Sequence, residues 1–141
     1  MRKLYVANKN YSSWSMRPWV LMKQAGIAFE EVMVRFGEDF SDGSEFKKTM
    51  GKLSPTAVVP LLVDGEAKVW DSLAIVEYLP ETFPDKKIWP ETAAQRAHAR
   101  SICAEMHGGF RALRGACTMN IQGDLATPGG INWGDNAGPP P

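Results

Sequence analysis

Two short stretches of this 141-residue chain concentrate side chains able to handle a proton or an anion. One is Asn10-Tyr11-Ser12-Ser13-Trp14-Ser15-Met16-Arg17 and the other is Asp71-Ser72, each standing directly ahead of an expected helix. The default duty of serine and aspartate there is capping, because their oxygens accept from N–H groups that the opening helical turn leaves unpaired. A hydroxyl in that position has a second capability. It can donate to an anion while the helix dipole favours the same negative charge. The remaining chemistry is sparse. His98 and His107 are separated by about two and a half helical turns, which puts them on opposite faces and makes no metal site. No other cluster has metal-ligand spacing, so no metal is expected. Cys103 and Cys117 lie in one expected helical segment about 21 Å apart, too far to bridge. Two unbridged cysteines fit a reducing compartment.

The elements that must position these groups follow in chain order. Lys3 to Ala7 carries Leu4, Tyr5 and Val6 and reads as a buried strand. A polar loop to Trp14 ends in candidate caps at Ser13 and Ser15, and the helix that follows has Pro18 near its first turn and Gly26 as its C-terminal cap. Glu31 to Arg35, with Val32 and Val34 on one side, is a second strand, so strand, helix and strand make a βαβ unit with a parallel pair. Phe36 to Ser44 is a polar loop and Glu45 to Lys52 a short helix. Asp64-Gly65, between Leu61-Leu62-Val63 and the alternating Ala67 and Val69, signals a β-hairpin. Asp71-Ser72 then caps a helix whose apolar stripe is Leu73, Val76 and Leu79. The sum is an α/β domain over residues 1–83, a mixed four-stranded sheet with helices on its faces in a thioredoxin-like layout. Pro84 to Pro90 reads as a linker.

Beyond it, Ile102, Met106, Phe110, Leu113 and Cys117 recur at helical spacing over residues 91–121, interrupted by Gly108-Gly109. Two glycines within a helix imply a kink or a close backbone approach. Gln122 to Pro141 has five glycines and four prolines and no helical period, and is expected to be disordered.

Sixteen basic residues balance sixteen acidic ones without a long block of either sign, so neither nucleic acid nor a membrane surface is an expected partner. No apolar run is long enough for a membrane span, and Asn8, Lys9 and Asn10 interrupt the N-terminus before a signal sequence develops. A cytoplasmic location and a small-molecule or protein partner are the resulting expectations.

Pro55 to Leu79, with Val59-Pro60 heading the hairpin and Asp-Ser-Leu-Ala-Ile-Val-Glu-Tyr-Leu following it, resembles the glutathione-binding half of a soluble glutathione transferase. The resemblance implies a cis Val59-Pro60 bond, backbone pairing before the proline with the cysteinyl unit of glutathione, and Asp71 and Ser72 on its γ-glutamyl end. Val58 departs from the pattern, because the family often has Lys or Gln there to help hold the glycyl carboxylate. Ser12-Ser13-Trp14-Ser15 resembles the Ser-Ser-Cys-Ser motif of the zeta class, with Trp14 in place of its cysteine. Position by position, Ser12 matches the catalytic serine and Ser13 is the nearest substitute. Ser15 stays a cap, and Arg17 braces the first helix and its loop. Tyr5 and Tyr11 are rivals, because other classes use a tyrosine from the first strand. Tyr5, between Leu4 and Val6, reads as core. The absent cysteine argues against thiol exchange.

The residues from Ala104 to Arg114 resemble the first helix of the family's all-helical second domain, of which the chain is expected to hold only that beginning. Two functions follow. One is a glutathione transferase that activates the glutathione thiol for attack on an electrophilic small molecule, or for glutathione-dependent isomerisation, as a homodimer in detoxification. The other is a non-catalytic glutathione-binding or dimerisation module.

Overall fold

Alternation along the first strand decides how the layers stack. In the computed structural model, which describes residues 1–35, 41 and 43–123, β1 (Lys3–Val6) turns Leu4 and Val6 toward α1 (Ser13–Gln24) and α3 (Ser72–Thr82). There they join Met22, Ile27, Leu62, Ile75 and Leu79 in the main core. Tyr5 points the other way, onto a second cluster of Val34, Phe46, Met50 and Leu61 that α2 (Glu45–Gly51) covers. Tyr5 is thus core, as its neighbours in the sequence predict. Truncating a fully buried leucine such as Leu4 or Leu62 would cost about 2–5 kcal/mol.

The sheet contains β1, β2 (Glu30–Met33), β3 (Leu61–Asp64) and β4 (Ala67–Trp70) in the order β2-β1-β3-β4. β1 and β2 run parallel, and the β1–β3 and β3–β4 pairs are antiparallel. This is the mixed, thioredoxin-like sheet that the sequence predicts. The hairpin turn sits one residue later than the Asp64-Gly65 signal. Asp64 still pairs with Ala67, so Gly65 and Glu66 make the turn and Gly65 takes φ +62°. Asp64 stays in the strand, where its Oδ2 accepts from Arg2 Nε at 2.9 Å.

The face of α3 also differs from its expected stripe. Ser72, Ile75 and Leu79 are its buried residues, while Leu73 and Val76 turn partly outward toward α4. The expected Phe36–Ser44 loop falls largely outside the described residues, as do residues 124–141 of the Gly/Pro-rich segment.

A single helix is expected over residues 91–121. Two are found: α4 (Ala93–Gly108), capped by Thr92, and α5 (Arg111–Ala116). The break has a local cause. A Cβ on Gly109 would stand 2.7 Å from the Glu105 carbonyl oxygen, and Phe110 beside it adopts φ +60°. Gly108 has open space where its Cβ would go. Gly109→Ala is therefore expected to destabilise the corner by about 1–3 kcal/mol, whereas Gly108→Ala should be neutral or mildly stabilising. Thermal unfolding of the two variants checks this, and equal melting temperatures would contradict it.

Candidate functional site

Register brings the chemistry-bearing stretches together. Tyr5 lies opposite Leu61, and Leu61 lies opposite Trp70. The exit of β1, the entry to β3 and the exit of β4 therefore share one end of the sheet. Ser12 and Ser13 follow the first, Val59-Pro60 precedes the second, and Asp71-Ser72 follows the third.

After β1 the chain folds back on the Asn8 carbonyl, which accepts the N–H groups of Tyr11 at 3.1 Å and Ser12 at 2.8 Å. The turn delivers Ser12 as the N-cap of α1, its Oγ accepting the Ser15 N–H at 3.4 Å. Ser13 and Ser15 are thus not the caps that local composition suggests, because the Asn8 turn starts the helix one residue sooner. Ser13 is the exposed first helical residue, and its hydroxyl forms no hydrogen bond among the described residues. Ser15 is fully buried. Its Oγ accepts from Ala7 N–H at 3.1 Å and from the Ser12 hydroxyl at 2.9 Å. Ser12 itself is 7% exposed, while Tyr11 is 57% exposed.

The Val59-Pro60 bond is cis. Val59 lies outside the β3 ladder, and its N–H and C=O make no backbone hydrogen bond among the described residues. A peptide-like ligand could take up both groups.

Asp71 has two jobs in one carboxylate. Oδ1 caps α3, accepting from Leu73 N–H at 2.8 Å and Ala74 N–H at 3.4 Å, and Oδ2 meets His107 Nε2 at 3.2 Å. Its backbone, at φ +76° and ψ +133°, lies where non-glycine residues are uncommon. Ser72 is 2% exposed, and its Oγ has no hydrogen-bond partner among the described residues. The buried His107 Nδ1 is likewise unpartnered. Orphaned polar atoms are costly to bury and call for an explanation at a native site.

Beside them lies a cleft of about 450 Å³ between α1, α3 and α4. Its walls include Arg17, Ser72 and His107 on the polar side and Leu73, Val76 and Met106 on the apolar side. Burial and the neighbouring Arg114 guanidinium both lower the Arg17 pKa from the usual arginine value. The guanidinium groups of Arg17 and Arg114 lie 4.2 Å and 4.7 Å from the centroid of the Trp14 ring, which also meets the His107 ring edge-on at 5.2 Å. Arg17 stacks on Trp14, one turn earlier on α1. The Trp14, His107 and Arg114 cluster has no counterpart in the sequence reading. His107 enters there only as one of two histidines that make no metal site, and its meeting with Asp71 depends on how α4 packs on the start of α3.

Against known proteins, residues 11–82, just over half of the chain, match the family model described as glutathione S-transferase, N-terminal domain. A probable maleylacetoacetate isomerase of Caenorhabditis elegans is 32% identical over 119 residues, covering 84% of this chain and 52% of the relative. A zeta-class glutathione S-transferase of Euphorbia esula is 29% identical over 117 residues, covering 83% of this chain and 50% of the relative. Among solved structures, a glutathione transferase homologue from Burkholderia GL BGR1, with bound glutathione, superposes with a TM-score of 0.64 at 28% identity. That match covers 78% of this chain and 57% of the other. The chain spans about half the length of the curated relatives it matches.

Proposed function

Because the chain belongs to the glutathione S-transferase family, we propose that it binds glutathione at the shared end of β1, β3 and β4 and activates its thiol. The thiolate then attacks an electrophilic small molecule or drives a glutathione-dependent isomerisation. The observation that carries this reading is the register that gathers Ser12, Val59-Pro60 and Asp71-Ser72, three separate stretches, at one edge.

Each residue has a role its surroundings support. The unpaired backbone of Val59 pairs with the cysteinyl unit. The γ-glutamyl end carries an ammonium and a carboxylate. Asp71 Oδ2 suits the ammonium, in competition with His107, while the orphaned Ser72 hydroxyl and Arg17 suit the carboxylate. Val58 supplies no charge for the glycyl carboxylate. Ser12, at the N-terminus of α1, donates to the sulfur. A free thiol with a pKa of about 8.5 is mostly unreactive at neutral pH, and a hydroxyl hydrogen bond plus the helix dipole can lower that by about two units. Ser13 is the nearest substitute. The relatives named as maleylacetoacetate isomerases favour isomerisation as one outcome.

We further propose a homodimer working in the reducing cytoplasm in a detoxifying role. The dimer reading is motivated by α4 and α5, which bury no residue and leave Ile102, Met106, Phe110 and Leu113 each about half exposed. The same observation favours a second reading, a glutathione-binding or dimerisation module without turnover, since α4 and α5 bury no residue of their own. A conjugation assay with a simple aryl halide, run beside one for isomerisation of a cis-enoic acid, separates the two. Turnover above the uncatalysed rate in either assay supports the enzyme. Glutathione binding with no turnover in both supports the module.

A further inference from the structure

The hydroxyl behind Ser12 is as informative as Ser12 itself. Ser15 is fully buried, and its Oγ already accepts the Ala7 N–H at 3.1 Å and the Ser12 hydroxyl at 2.9 Å. Its own proton is committed to no acceptor among the described residues. A hydroxyl has one proton to give and two lone pairs to fill. Both lone pairs of Ser15 are filled, and Ser12 Oγ, 2.9 Å away, is an oxygen that could take its proton. The two hydroxyls therefore have two arrangements. In the ligand-free one, Ser12 donates to Ser15.

We infer that Ser15 is a positioning residue for the Ser12 hydroxyl: when a thiolate arrives, Ser12 turns its proton to the sulfur and Ser15 turns its proton to Ser12. No covalent bond changes. The result is a chain in which Ser15 O–H donates to Ser12, and Ser12 O–H donates to the anion. The Ala7 N–H anchors the far end from β1, and the Ser15 N–H remains on Ser12 Oγ. Donors in series polarise one another, so Ser12 becomes a stronger donor than an isolated serine. The arrangement also spares Ser12 an unmet acceptor when its proton leaves Ser15. A purely structural Ser15 would only hold β1 to α1.

The inference rests on the reading of Ser12 as the thiol donor, and the test separates the two. The ultraviolet absorbance of the bound thiolate, followed against pH, gives the pKa of glutathione on wild type, Ser12→Ala, Ser15→Ala and Ser15→Cys. Binding of S-methylglutathione, which has no thiol proton, serves as the control. In Ser15→Ala the bound thiol is expected to titrate about half a unit higher, giving about threefold less thiolate at pH values well below both pKa values. S-methylglutathione affinity should stay within about twofold. Should Ser15→Ala not fold, Ser15→Cys, a near-isosteric and weaker donor, is expected to move the pKa in the same direction. A raised pKa in Ser12→Ala with none in either Ser15 variant would overturn this inference and leave the proposed function standing. An unlowered glutathione pKa on wild type would overturn both.

Discussion

Replacing Ser12 by alanine is expected to lower turnover about threefold at pH 7 and by much less above pH 9. The sign follows from the thiol. If the site lowers the glutathione pKa from about 8.5 to about 6.5 and the hydroxyl supplies about half of that, the helix dipole the rest, roughly three quarters is thiolate at pH 7, against about one quarter without the donor. Above both values the thiol ionises unaided and the deficit closes. Ser12 is also the N-cap of α1, so alanine removes about 1 kcal/mol of stability as well. Ser12→Gly controls for this, because glycine at an N-cap costs only a few tenths of a kcal/mol yet supplies no hydroxyl. Both variants should share the pH-dependent deficit. A deficit that stays constant from pH 6 to pH 9 would assign Ser12 a structural role only.

Asp71→Ala should produce the largest loss of glutathione affinity, about tenfold to a hundredfold, because the ammonium loses a charge-assisted partner worth about 1.5–3 kcal/mol. It should also cost stability. The Oδ1 cap on Leu73 and Ala74 goes, and alanine is forced into φ +76°, together about 2–3 kcal/mol. Asp71→Asn separates the two effects. Asparagine caps helices as well as aspartate and is nearly its isostere, so it should melt near wild type while binding glutathione as poorly as the alanine variant. Calorimetry and thermal unfolding on the same samples check this. Full affinity in Asp71→Asn would remove Asp71 from the ammonium site.

Local chemistry made much of this legible. Alternation around Tyr5, the hairpin glycine and the Asp71 cap are each dictated by neighbours a few residues away. They suffice for the sheet and for the stretches that converge on its end. The errors are of one residue or one face. The turn moves to Gly65-Glu66 because Asp64 remains paired with Ala67. The cap moves to Ser12 because the Asn8 carbonyl tightens the preceding turn. The buried face of α3 rotates to Ser72 and Ile75 because α1 and the sheet claim it. What local pattern could not supply is packing between distant helices. The Asp71–His107 contact joins the N-cap of α3 to α4, and Trp14 on α1 meets Arg114 on α5 across a still longer stretch of chain. Neither pairing leaves a periodicity or a motif. The Gly108-Gly109 interruption pointed to a kink, but only the Glu105 carbonyl shows which glycine is required.

The central claim is that this end of the sheet holds glutathione, and titrating glutathione into the chain by calorimetry at pH 7 tests it most directly. A saturable heat with one glutathione per chain, largely lost in Asp71→Asn, is the predicted result. No heat of binding with wild type at millimolar glutathione would contradict the account.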